Sequence, residues 1–229
     1  MDAEARAAGA GVQDAADPTA ATDRRVLPAL CLGAFVASLV FIAPAPFFPV
    51  MADDLNVSIP LLGQVVAAML LLSAVLGLAV GPLADRYGYR LLIVLGLSAA
   101  CVSLLVFGLA RTFSMLLAGS VAGGLADAAV LGPVLAVAGT YFVGAAARRA
   151  LGWTTACMAG TAIIGVPLLS VIGDAAGWRT AFVGAGLTAA GAAWLALFWL
   201  PKDSSRPTDR FRFGSLVAAY RPLVGHGPT

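Results

Sequence analysis

The sequence predicts an all-α membrane protein of six transmembrane helices, on three observations. It is 60% hydrophobic and only 11% charged over 229 residues, far too apolar for a soluble domain of that length. It offers six stretches, at 26–50, 61–83, 91–110, 113–142, 150–172 and 180–200, each long enough for the roughly 20 apolar residues that cross a hydrocarbon core of about 30 Å. These runs are apolar on every face, whereas a barrel strand alternates with period two. The basic residues also segregate: of 14 Lys and Arg, only Arg111 and Arg179 fall on one side of a six-span topology. Cytoplasmic loops keep basic residues, which predicts a multi-pass protein with both termini in the cytoplasm.

Residues 1–25 precede the first span. Met1 to Asp23 is rich in Ala and Asp without periodicity and reads as a disordered cytoplasmic tail. The first span itself has a cleavable signal peptide as its alternative reading, with Arg24-Arg25 ahead of an apolar core and Ala43-Pro44-Ala45 as a small-residue site. The run is long for a signal core, however, and Pro46 would lie just after the cut. Pro44, Pro46 and Pro49 mark the end of the first span, and Asp53-Asp54-Leu55-Asn56-Val57-Ser58 a short outer loop.

Between spans two and three lies Gly81-Pro82-Leu83-Ala84-Asp85-Arg86-Tyr87-Gly88-Tyr89-Arg90, which reads as a charged hairpin. Gly81 lets the end of span two approach a neighbouring helix closely. Asp85 is placed to accept from the free amides of a nearby helix N-terminus. Gly88 permits a positive φ, and Arg86 and Arg90 hold the loop at the cytoplasmic surface and are candidate partners of Asp85. The plainer reading is a set of solvated charges serving topology alone.

Span four carries Asp127, the only ionisable side chain deep inside any predicted span. An acid at mid-membrane costs roughly 3 kcal/mol on the insertion scale and is tolerated where it faces protein or a watery cavity. It is thus a candidate for proton coupling or substrate contact, or else a structural acid hydrogen-bonded to Ser120, Thr154 or a backbone carbonyl. Phe35, Ser38 and Ile42 recur at helical spacing on span one, and Met158 and Thr161 lie near one face of span five. They are candidate cavity-lining residues, or ordinary packing. Trp153, Trp178 and Trp199 fall at span ends, where indoles anchor at headgroups.

Asp85-Arg86-Tyr87-Gly88-Tyr89-Arg90 and Asp174-Ala175-Ala176-Gly177-Trp178-Arg179 share the pattern D-x-x-G-aromatic-R, displaced by 89 residues. One joins spans two and three, the other spans five and six on the opposite side. Two inverted three-helix repeats produce that arrangement. Cys31, Cys101 and Cys157 each lie within a span as packing residues, and His226 is the only histidine. They suggest neither a disulfide framework nor a histidine metal site, and no phosphate loop or Cys-x-x-Cys motif is present. The sequence therefore points to no enzyme, cofactor, metal or nucleic-acid partner.

The run G-x-L-A-D-R-x-G-x-R resembles the signature loop of the major facilitator superfamily, with every characteristic position filled. The prolines and acidic loop after span one are similar to the same region of that family. Gly160 to Gly173, with Gly165-Val166-Pro167, followed by Gly177-Trp178-Arg179, resembles the fifth helix of its drug and sugar efflux antiporters, although Val166 interrupts the glycine-proline pair. The resemblance implies the N-terminal six-helix half of a secondary transporter. It implies proton-coupled efflux of a small solute by alternating access, with Asp127 in the cavity and Asp85 and Arg90 latching the cytoplasmic side. The mostly apolar candidate cavity residues fit a lipophilic or amphiphilic solute better than a highly charged one. Taken with the charge pattern, the resemblance implies the cell inner (plasma) membrane as the location. It further implies a lipid bilayer, a small-molecule substrate and a second six-helix half, from another chain or a homodimer, as partners. One departure is Gly119, where many relatives carry a span-four Arg. Residues 201–229 resemble the start of the family's central cytoplasmic loop, with Phe211 to Tyr220 as an interfacial helix or part of a disordered tail. The competing class is a non-transporting fragment or accessory membrane subunit.

Overall fold

The computed structural model describes residues 18–200, and the tail expected at 201–229 lies outside them. Six helical spans cross the molecule. The first is built of α1 (Pro18–Ile42), a 3-10 turn at Ala45–Phe47 and α2 (Phe48–Leu55). Spans two, three and four are the single helices α3 (Ile59–Tyr87), α4 (Tyr89–Leu109) and α5 (Phe113–Thr140). Span five is α6 (Ala145–Gly160), a π-helical turn at Thr161–Gly165 and α7 (Val166–Ala176), and span six is α8 (Trp178–Trp199).

The helix ends depart from expectation for identifiable reasons. Helix α1 starts at Pro18, ahead of the tail boundary expected at residue 25, because proline at a first helical position gives up an amide that has no partner there and Ala residues come next. The first span breaks after Ile42, where Pro44 precedes the 3-10 turn and Pro49 sits in the first turn of α2. It ends at Asn56 in the left-handed conformation (φ 53°), a residue that tolerates it.

The expected hairpin between spans two and three is a single residue. Asp85, Arg86 and Tyr87 form the last turn of α3, and α4 begins at Tyr89. Gly88 alone connects them, at φ 86° and ψ 149°, its amide donating to the carbonyl of Ala84 at 2.8 Å. Gly177 makes the equivalent connection at φ 87° and ψ 149°, donating to Gly173 at 2.8 Å. Side chains with a Cβ rarely enter that region, so both halves of the internal echo use the same glycine for the same turn.

Packing obeys the repeat. Span three lies against spans four and six, span one against spans four, five and six, and span two against span four. Exchanging the first three spans for the last three carries the pairing of two with four onto that of five with one, and three with four onto six with one. Spans one and four are enclosed, with 61% and 56% of their most apolar stretch buried, whereas spans two and five have 11% and 17%. The last two therefore present open apolar faces, including Leu71 and Leu78 on one and Ile163 and Leu168 on the other. Near Gly177, Phe182 is the hub of an aromatic cluster, edge-on to Phe47, Phe107 and Trp178 at 5.5, 5.8 and 6.1 Å between ring centres. The three cysteines are free thiols.

Candidate functional site

Asp127 stands midway along α5, half-buried, on the side that meets span two. The Ser73 hydroxyl on α3 donates to its Oδ2 at 2.6 Å. The partners expected from sequence are engaged elsewhere: Ser120 donates to the carbonyl of Leu117 at 2.7 Å and Thr154 to that of Ala150 at 2.8 Å. Both return to their own helix, the usual local outlet for a hydroxyl in a span. A short bond from a neutral hydroxyl satisfies one lone pair of the carboxyl group and leaves the others open. Ser73 escaped the sequence reading because it is separated from Asp127 by 54 residues; a hydroxyl within an otherwise apolar run was the available sign.

Gly119, where a span-four Arg was noted as missing, is a close-packing position. A Cβ there would come within 2.9 Å of the Phe107 ring, and its carbonyl accepts from Ser103 at 2.9 Å. An arginine could not enter without displacing Phe107.

Two of the candidate cavity-lining residues, Phe35 and Thr161, meet across the contact of spans one and five. Thr161 is fully buried and donates to the carbonyl of Phe35 at 3.1 Å. Ser38 is buried, and Phe35 and Met158 are half-buried against the core. Span five approaches closely at Gly165, where a Cβ would lie 2.9 Å from Phe35 and 3.1 Å from Leu39. Gly160 has nothing within 4 Å of that point. Pro167 lies two residues past the π-helical turn, in the first turn of α7. Widening the helix there relieves the clash and missing hydrogen bond that proline brings to a helix interior.

The signature residues divide between two faces. Gly81 and Asp85, four residues apart and so on one side of α3, are both exposed. No atom of another helix lies within 4 Å of a Cβ built on Gly81, so the close approach expected there is not made to any described helix. Among the described residues no hydrogen bond or ion pair reaches Asp85, and neither expected arginine partner joins it. Arg86 lies over the Tyr87 ring at 5.2 Å. Arg90 donates to the carbonyl of Leu197 in the last turn of α8.

At the opposite end, Arg179 pairs with Asp54, donates to the carbonyl of Ala110 at 3.0 Å, and lies over the Trp178 ring at 4.4 Å. The Trp178 indole also donates to Asp54, at 3.1 Å. One carboxylate thus ties the end of span one to the start of span six, which the sequence showed only as an acidic loop.

The sequence is similar to three proteins of Bacillus subtilis (strain 168). It is 28% identical to Multidrug resistance protein 1 over 61% of this chain and 36% of that protein. It is 26% identical to the uncharacterized MFS-type transporter YceJ over 78% and 45%. It is 29% identical to Methylenomycin A resistance protein over 83% and 42%. The chain therefore matches less than half the length of each of these curated relatives. Residues 30–225 match the Major Facilitator Superfamily as a family. With six apolar spans, the filled G-x-L-A-D-R-x-G-x-R run and a family match over most of its length, the chain belongs to the Major Facilitator Superfamily.

Proposed function

We propose that this chain forms one six-helix wall of a secondary transporter that exports a small lipophilic solute by alternating access, coupled to protons through Asp127. The observation that carries the reading is the Asp127 carboxyl at mid-span, held among the described residues by one hydroxyl from a neighbouring helix. Such a group can accept and release a proton without dismantling an ion pair. Export is favoured by the two relatives named for resistance. The open faces of spans two and five, carrying Gly81 and Asp85 on one of them, are where a second six-helix wall would seat. In this reading the Gly88 end faces the cytoplasm and Asp85 latches onto a helix N-terminus of that second wall. The wall is supplied by further sequence, another chain or a second copy.

The test is efflux of a lipophilic cationic dye from energised membrane vesicles, with cross-linked mass measured beforehand to establish which second wall is present. Asp127→Asn is expected to abolish proton-driven efflux while leaving insertion intact. Unchanged flux would overturn the role of Asp127, and absence of flux in the wild-type assembly would favour an accessory subunit.

A further inference from the structure

Helix α3 uses one face in two ways. In the half nearer Ile59, Leu62, Val65 and Met69 are buried. Further along the same face, toward Gly88, Leu76, Ala79 and Leu83 stand off the bundle and line a crevice of ≈ 400 Å³ closed by Leu92 and Leu95 of α4 and Leu125 of α5. Apart from the Tyr87 hydroxyl, no lining side chain carries a polar atom.

The crevice has the reach of one lipid tail. From Leu76 to Tyr87 it spans eleven helical steps, about 16 Å at 1.5 Å each, against roughly half of a hydrocarbon core of about 30 Å. With the Tyr87 end at headgroup level, that length reaches to near the bilayer midplane. At its headgroup end Arg86 lies over the ring of Tyr87, which lines the crevice. Its guanidinium makes no hydrogen bond or ion pair with another described residue. A planar cation at the mouth of an apolar slot is complementary to a phosphodiester above an acyl chain. The crevice also lies opposite the exposed Leu71, Leu78, Gly81 and Asp85 face of α3. Its occupant is thus separate from the second wall proposed above.

We infer that this crevice holds one acyl chain of a glycerophospholipid from the leaflet at the Gly88 end, with the lipid phosphate on Arg86. The site does not depend on transport, so it stands or falls separately from the role of Asp127.

The experiment is native mass spectrometry of the delipidated 229-residue chain in mild detergent, titrated with phosphatidylglycerol or with a diacylglycerol of the same chains. The wild type is expected to hold one phosphatidylglycerol in preference to the diacylglycerol. Ala79→Phe, which fills the slot, should weaken retention about fifteen-fold, the equivalent of two methylenes left unburied. Arg86→Gln should weaken it about five-fold, with Arg86→Lys recovering part of the loss. Leu187→Phe, on the exposed face of span six, should leave it unchanged. Equal retention by Ala79→Phe and Leu187→Phe would overturn the slot. Equal retention of both lipids by the wild type, or no effect of Arg86→Gln, would overturn the phosphate contact; that variant alters a helix-end residue and does not depend on the repacking that Ala79→Phe requires.

Discussion

Arg90 and Arg179, 89 residues apart, close opposite ends of the same helix pair. Arg90, in the first turn of α4, donates to the carbonyl of Leu197 at the end of α8. Arg179, in the first turn of α8, donates to the carbonyl of Ala110 just past the end of α4. The last carbonyls of a helix lack intrahelical donors, and a cation there complements the helix dipole. The arginine of each repeat therefore does more than mark topology: each repeat caps the other. The arrangement is not fully symmetric. Arg179 also pairs with Asp54, whereas the position 89 residues after Asp54 is Val143, an exposed hydrophobic residue.

Replacing Arg179 by Ala should lower stability by about 1–2 kcal/mol, through the lost cap and the Asp54 pair. A double-mutant cycle with Asp54→Asn, read by thermal unfolding in detergent, should assign only about 0.5 kcal/mol to the ion pair, since both side chains are partly exposed. A coupling several times larger would place the energy in the pair instead of the carbonyl.

Gly88→Ala and Gly177→Ala should each cost about 2 kcal/mol, because both residues hold a positive φ with an extended ψ that a Cβ disfavours. Gly184→Ala, with open space around it, serves as the comparison and should be neutral or slightly stabilising. Thermal midpoints of the three variants decide the matter; equal shifts would mean the turns relax freely.

Close approach of span five to span one makes Gly165 the sensitive glycine of that helix and Gly160 the tolerant one. Gly165→Leu must displace Phe35 and Leu39 and should destabilise by about 1–3 kcal/mol, while Gly160→Leu should be nearly silent. Unfolding of the purified variants, compared with their dye efflux, checks both halves of the expectation.

Ser73→Ala removes the described donor to Asp127. About 1 kcal/mol is at stake in such a bond, so proton-driven efflux should fall roughly five-fold, with Ser73→Thr retaining most of it. A Ser73→Ala variant with wild-type flux at every pH would show that the bond does not bear on coupling.

The six spans were legible because a helix long enough to cross a bilayer leaves an unmistakable apolar run. What the runs concealed is where each helix stops. Asp85, Arg86 and Tyr87 looked like a loop by charge, yet backbone hydrogen bonding continues through them until Gly88. The repeat was legible in Gly88, Gly177, Arg90 and Arg179, but the acceptors at Leu197 and Ala110 were not, since every residue has a carbonyl. Asp127 stood out by charge, whereas its partner depended on how spans two and four pack. The π-helical turn at Thr161–Gly165 was hinted at only by Pro167.

Span lengths have a mechanical consequence. Helices α4 and α8, with 21 and 22 residues, are about 32 and 33 Å long, whereas α3 and α5, with 29 and 28 residues, reach about 42 to 44 Å. The shorter pair matches the roughly 30 Å hydrocarbon core of a typical bilayer, and the longer pair exceeds it. Arg90 and Arg179 stand in the first turns of α4 and α8, at opposite ends of this shorter pair, so the two charges are separated by about one hydrocarbon thickness. A markedly thicker membrane would bring those charged ends toward hydrocarbon, at a cost of fractions of a kcal/mol per ångström of mismatch.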